Sequence, residues 1–267
     1  MPAANAPSRL HVLALDTSTQ ALHVGVLRGD TAAVVERELP GGAAGSETLI
    51  AALRDVLDEA QLRLDQVQAI AVGRGPGAFT GVRTACAVAQ GLALGLGLPV
   101  LPIDTLQAVA EDARALLAGA ITPGSTMPAL CCVAMDARMG ELYCALYEFT
   151  PQGIDAERWP AQLMTPPQLL ERLRTHERQN YVLAGNGVDV HAQALAPLLG
   201  GVPLCVADAR PRASALLRLA QRAWQAGRSR DAAQALPLYV RDKVALTTEE
   251  RDAARAAAAH ASTQAAP

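Results

Sequence analysis

Three features of the 267-residue sequence predict an α/β protein built as two lobes. Short apolar runs alternate with stretches of helical period, the pattern of strands joined by crossover helices. The order three strands, helix, strand, helix, strand, helix occurs once in each half of the chain. In both halves the first strand ends on an aspartate at a hairpin, Asp16 and Asp136. Composition supports a folded chain: 51% of residues are apolar, 18% are charged and mean hydropathy is +0.16, well away from the disordered range.

The elements follow in order. After a leader at 1–9, LHVLALD at 10–16, ALHVGVL at 21–27 and TAAVVEREL at 31–39 are separated by short polar breaks and read as three antiparallel strands. Leu49, Ile50, Leu53, Val56, Leu57 and Ala60 recur at helical spacing, with Ser46 as N-cap and Glu47 placed to favour the helix dipole. A strand at 69–72, a glycine-rich turn, a helix over 83–97, a strand at 100–103 and a helix over 105–118 complete the first lobe, 10–118. The second lobe, 129–245, repeats the scheme less cleanly. Its strands are expected at 129–136, 141–149, weakly near Gln162, 181–184 and 202–206. Helices are expected from 166, around 191–199 and over 213–226. The tail at 246–267 has no apolar face to dock, so disorder is its default. A duplicated unit of this kind places a site in the cleft between its copies.

Charge and composition exclude several functions. Lys plus Arg is 23 and Asp plus Glu is 26, a net charge of −3, which gives no global grip on a phosphate backbone. Two Trp, four Tyr and two Phe leave little for stacking bases. The arginines at 210, 212, 218, 222, 228 and 230 form a local basic cluster, read as a solvated helix face more readily than as an RNA site. Five cysteines, none in a CxxC pair, fit a reducing, cytoplasmic setting. No secretory signal precedes the first strand, and the apolar run at 84–101, broken by glycine and proline, reads as a buried helix and a strand instead of a membrane span. The five histidines are scattered without metal spacing, and no serine or cysteine sits in a nucleophile motif.

Two places could carry chemistry. GRGPGAFTGVRT at 73–84 leaves a strand and opens a helix, with four glycines in nine residues, so Gly75 and Gly77 are candidates to cradle a phosphate. No lysine follows as a Walker loop requires, and a tight structural turn accounts for the spacing equally well. Asp16, Thr17 and Ser18 suit Mg²⁺ and phosphate oxygens, and they equally suit a hairpin closed by local hydrogen bonds. The helix after the turn carries Ala87, Gly91 and Gly95 at intervals of four, a face of nearly bare backbone, while its other positions are apolar too. Such a helix needs partners on both sides, so an interface with another chain and a deeply buried core helix are both open.

Four blocks then resemble one family: LALDTSTQALHVGVL at 13–27, AVGRGPGAFTGVRTACAVAQGLALGLGLPV at 71–100, VAMDARMGELYCALYE at 133–148 and PLYVRDKVA at 237–245. The chain is similar to the TsaB (YeaZ) family, subunits of bacterial tRNA threonylcarbamoyladenosine synthesis, over about 10–245. The resemblance implies the fold of the acetokinase/sugar kinase/Hsp70/actin superfamily, with two ribonuclease-H-like lobes. It also implies a cytoplasmic, non-catalytic subunit that pairs with a TsaD-type paralogue. That paralogue transfers threonylcarbamoyl to N6 of the adenosine next to the tRNA anticodon. A small TsaE-type ATPase joins the pair, and a homodimer forms when TsaD is absent. No cofactor is implied for the chain itself: ATP and Mg²⁺ serve the partner complex, tRNA is reached only through it, and no membrane is involved. The implied partner-binding residues lie on the two helices beside the turn: Leu49, Ile50 and Leu53 on the first, Arg83, Ala87, Gly91, Leu94 and Gly95 on the second. TsaD-like proteins carry a paired-histidine metal site on the first helix, whereas SETLIAAL at 46–53 has none, with Glu47 where a histidine is often kept. This departure speaks against a glycoprotease-like metallopeptidase. The alternative within the superfamily is a nucleotide-binding phosphotransferase or ATPase using Asp16, Thr17, Ser18, Gly75 and Gly77.

Overall fold

Strand β1 (Val12–Asp16) is apolar on both faces because it runs through the middle of a sheet covered on both sides. The structure, a computed structural model, describes residues 10–41, 45–120, 127–150, 153–174, 181–199 and 204–241. The leader and the tail expected to be disordered lie outside them. β2 (Ala21–Arg28) and β3 (Ala33–Pro40) continue from β1 as an antiparallel meander. β4 (Ala69–Gly73) pairs in parallel with β1, and β5 (Val100–Ile103) with β4, giving the order β3-β2-β1-β4-β5. Between them come α1 (Gly45–Glu59) and α2 (Phe79–Leu96), and α3 (Thr105–Ala120) follows.

The second half repeats this wiring with β6 (Leu130–Arg138), β7 (Glu141–Thr150), β8 (Gly153–Met164), β9 (Tyr181–Ala184) and β10 (Leu204–Val206). Their order β8-β7-β6-β9-β10, antiparallel on the meander side and parallel on the other, copies the first sheet. Helices α4 (Pro166–Arg174), α5 (Gly187–Val190), α6 (Ala192–Leu199) and α7 (Ala213–Gln225) complete the chain. The two-lobed α/β class expected from the order of elements is therefore present.

Alternation along the strands decides which helix covers which face. Leu13, Leu15, Val24, Ile70 and Val72 face α1 and α2, meeting Leu49, Val56, Ala85 and Ala89. Val12, Ala14, Ala69 and Ala71 face the other way, onto Leu216, Leu217 and Ala220 of α7. In the second sheet Cys131, Val133, Tyr147 and Val182 pack on Leu106, Val109 and Ala113 of α3. Cys132, Leu146 and Leu183 pack on Leu169, Leu173 and Leu195 of α4 and α6. The lobes thus exchange their last helices: α3 follows the first sheet and covers the second, and α7 follows the second and covers the first.

Where these two helices meet, charge is buried. The Glu111 side chain on α3 is fully buried and holds Arg114 at 2.8 Å, Arg218 at 2.8 Å and Arg222 at 2.9 Å. Asp112 pairs with Arg212 and accepts the Arg210 backbone N–H at 3.0 Å. The arginines expected on a solvated face are corrected accordingly. Arg212, Arg218 and Arg222 turn inward to buried carboxylates, and Arg210 ties Glu38 and Asp208. Amphipathic spacing cannot reveal an arginine whose buried partner lies about 100 residues away.

Several boundaries differ from expectation for local reasons. α1 begins at Gly45, so Ser46 lies in the first turn and not before it. α2 begins at Phe79 instead of 83, because the Val82 N–H already reaches the Ala78 carbonyl. It ends as expected, at Gly97 in the left-handed region with φ 65°. The weak strand near Gln162 is the twelve-residue β8, whose register against β7 shifts at three places and so hides the alternation of two. The single helix around 191–199 is split into α5 and α6 at His191, which caps the first.

Burial pushes the Glu111 carboxyl up, but Arg114 and Arg222 outweigh it and hold it below the ordinary 4.5. Its contribution to stability is therefore present above that value and lost as pH falls through the lowered one. Burial raises Asp112 despite Arg210 and Arg212, so its acid-side effect has the opposite sign and offsets part of the loss. Glu111→Gln leaves three guanidinium groups facing a neutral side chain. It is expected to cost about 3 kcal/mol in urea unfolding at neutral pH. The gap to the parent should narrow as pH falls below 4.5 and Glu111 takes up its proton; equal stabilities at neutral pH would contradict a structural role for the Glu111 cluster.

Candidate functional site

The glycine-rich turn after β4 is shaped by the hairpin after β1. A Cβ at Gly73 would lie 1.8 Å from Asp16 Oδ2, at Gly77 2.4 Å from the Ser18 carbonyl oxygen, and at Gly81 1.8 Å from that of Thr17. Glycine is required at these three places because another stretch of backbone or a buried carboxylate occupies the space. Gly75, at φ +94°, is required for its backbone conformation as well.

Asp16 is fully buried and both its oxygens are engaged by the chain. Oδ1 accepts from the Ser18 N–H at 2.7 Å and the Ser18 hydroxyl at 2.5 Å. Oδ2 accepts from the Thr105 hydroxyl at 2.8 Å, whose oxygen in turn accepts the Gly75 N–H at 3.0 Å. The Thr17 hydroxyl donates to the Gly81 carbonyl, and the Ala78 N–H to that of Ser18. The five residues singled out for phosphate chemistry, Asp16, Thr17, Ser18, Gly75 and Gly77, are brought together. What they hold is one another.

Beside them opens the cleft between the lobes, about 130 Å³, lined by Ser18, Gly77 and Thr105 on one side and Asp136, Arg138 and Asn186 on the other. It is smaller than the roughly 300–1,000 Å³ of ordinary small-molecule sites. Asp136, the counterpart of Asp16, differs in its partners: Oδ1 accepts the Arg138 N–H at 3.1 Å and lies 3.2 Å from His191 Nε2, while its own N–H donates to Asn186. His191 carries no sequence signal for this position. No group of three or more metal-ligating side chains occurs among the described residues. Burial, with the Asp16 charge, pushes the Cys86 thiol up to about 11, and burial raises Cys132 to about 12, so neither is poised as a nucleophile.

The second candidate surface is the outer face of α2. Arg83, Ala87, Gly91, Leu94 and Gly95 are all exposed, Leu94 to 79%. A Cβ on Gly91 or Gly95 would meet nothing within 4 Å. By length and composition α2 would pass for a membrane span, yet only 28% of it is buried, which corrects the expectation of a buried helix. Ile50 of α1 is exposed as well. Leu49 and Leu53, named with it as contact residues, are buried in the first lobe's core and are removed from the surface, since they occupy the inward stripe of α1. At the N-terminal end of α2, the Arg83 guanidinium sits 3.7 Å over the Phe79 ring and donates to the Tyr239 hydroxyl at 2.7 Å. Tyr239 comes from the PLYVR segment, 156 positions away, so sequence reading noted the motif without its place.

Removing the Asp16 carboxylate by Asp16→Ala strands the Ser18 and Thr105 hydroxyls in the interior. The expected loss is about 2–3 kcal/mol of unfolding free energy, read by denaturant titration, since hydrogen bonds to a buried charge are of that size. A variant as stable as the parent would free Asp16 from this structural role.

A family model described as TsaD: tRNA N6-adenosine threonylcarbamoyltransferase matches residues 42–249. The tRNA threonylcarbamoyladenosine biosynthesis protein TsaB of Haemophilus influenzae is 31% identical over 245 residues, covering 88% of this chain and 95% of that protein. The Escherichia coli protein of the same name is 30% identical over 240 residues, covering 88% and 96%. Among solved structures, YeaZ from Pseudomonas aeruginosa matches with a TM-score of 0.70 at 32% identity, over 86% of this chain and 99% of that one.

Proposed function

We propose that this chain, which belongs to the TsaB family of tRNA threonylcarbamoyladenosine biosynthesis proteins, is a non-catalytic subunit that docks a TsaD-type paralogue through the open face of α2. The observation that carries this is the pair Gly91 and Gly95. A glycine inside a helix costs roughly 1 kcal/mol relative to alanine, and here no contact among the described residues requires either one. A face of bare backbone lets the ridge of a second helix approach closely. Leu94 and Ile50 supply exposed apolar area, and burying a leucine-sized side chain fully contributes about 1.5–3 kcal/mol. Arg83, stacked between Phe79 and Tyr239, gives that face a polar rim.

The same face suits a second copy of the chain when the paralogue is absent, because a two-fold interface uses one patch twice. A TsaE-type ATPase completes the complex, ATP and Mg²⁺ serve those partners, and tRNA is reached through the assembly in the cytoplasm. The subunit needs no cofactor of its own. In support, both oxygens of Asp16 are committed to Ser18 and Thr105, and the cleft beside them is small.

Gly91→Glu separates the roles of this helix. Light scattering on a size-exclusion column should show the one-to-one complex with the TsaD-type protein abolished. The isolated chain should melt no earlier, and by propensity up to about 1 kcal/mol more stably. Undiminished complex formation would overturn the interface. Calorimetric titration of the chain alone with MgATP is expected to be flat; binding that disappears in Asp16→Ala would instead establish the phosphotransferase reading.

A further inference from the structure

Behind the cleft, bounded by β5, α3, α7 and the segment after α7, runs a groove of about 680 Å³ that the docking face does not use. Its polar lining is Arg74, Gln107, Arg222, Arg228, Arg230 and Gln234. The four cations are unequally engaged. Arg74 Nε donates to Asp104 at 2.5 Å, and Glu157 stands close enough to feel both charges, so that end is neutralised. Arg222 holds Glu111 through Nη2, but its Nη1 is buried without a hydrogen-bond partner among the described residues. Arg228 and Arg230 are exposed and form no ion pair among the described residues; the bond shown for the Arg230 guanidinium is a long one, 3.3 Å, to the Ser229 carbonyl.

The backbone that carries Arg230 is anchored to the first sheet. Arg230 exchanges both backbone hydrogen bonds with Val100 at the start of β5, at 2.8 and 2.9 Å. The Arg222 guanidinium is packed against Gly153 and paired with Glu111, so it brings charge to the groove and not a free donor. Arg228 and Arg230, exposed and without ion pairs among the described residues, therefore line one trough beside Arg222 in a chain whose net charge is −3. The trough is open and of nucleotide size, yet no aromatic side chain lines it, so it offers charge without a platform for stacking bases.

We propose that this groove binds linked phosphate groups through the exposed Arg228 and Arg230, with Arg222 adding its charge. The phosphates could be those of a free oligophosphate or of an RNA backbone. The site lies apart from the docking face, and its test uses the full chain without any partner, so its failure leaves the proposed function standing and the reverse also holds.

The test titrates the chain at low salt with tripolyphosphate by calorimetry, and with a fluorescent oligouridylate by anisotropy. Saturable binding of at least one probe is expected, weakened at least about tenfold in Arg228→Glu/Arg230→Glu and unchanged in Arg63→Glu, an exposed arginine elsewhere on the surface. For the RNA, the double variant should also flatten the salt dependence, by about 0.7 in log–log slope for each phosphate it no longer neutralises. Binding of tripolyphosphate alone identifies a free oligophosphate; RNA binding that tripolyphosphate displaces identifies a backbone. Two flat titrations, an unaltered double variant, or an equal weakening in the Arg63 control would overturn the proposal. If the double variant melts early, Arg228→Gln carries the same comparison.

Discussion

The Glu111 carboxylate, fully buried among Arg114, Arg218 and Arg222, is the interaction on which the rest of the molecule depends. It joins α3 to α7 where each helix has crossed to cover the other lobe's sheet. A buried ion pair is an uncertain source of net stability but a demanding one, since removing one partner leaves the others uncompensated. Here its partners on α7, Arg218 and Arg222, lie about 100 positions along the chain from it. The same cluster holds Arg222, which lines the groove between α3 and α7.

The second constraint is close approach of backbone to backbone. Gly73, Gly77 and Gly81 admit the hairpin at Asp16 to Ser18, and Asp16 locks that hairpin to Thr105 at the start of α3. A loop that could cradle an anion by composition is thereby used as a rivet between β1, β4 and α3. The carboxylate is fully desolvated, but its hydrogen bonds to Ser18 and Thr105 replace water. The mirrored Asp136 remains half-buried against His191, so the duplication in sequence has not kept one chemistry in both halves.

The outer face of α2 stands in contrast. Its inner side, Val82, Ala85, Ala89 and Ala93, is packed on the sheet, while its outer side has small or apolar residues that touch little in this chain. A fold that packs three glycines tightly at the turn and leaves two loose on the following helix uses glycine for two purposes. The first is conformational and internal; the second is not explained by any contact among the described residues. That distinction is the physical basis for reading the protein as a subunit.

The duplicated order of strands and helices, the helical spacing of apolar residues on α1, and the bare face at Ala87, Gly91 and Gly95 were all legible in the sequence. Each of these depends on local periodicity, and periodicity is written in consecutive residues. The phosphate and structural readings of Asp16 stayed open at that level, because composition cannot say which donors fill a carboxylate's lone pairs. Folding settled that Thr105 and Ser18 fill them, that Leu49 and Leu53 belong to the core, and that Tyr239 closes over Arg83. It also turned Arg212, Arg218 and Arg222 inward and left Arg228 and Arg230 without acidic partners among the described residues. Most of these outcomes join residues tens to more than a hundred positions apart, and the helix exchange that joins the lobes has no local signature. The residues specified the faces, and the packing of the two lobes chose which charges and glycines stay open at the surface.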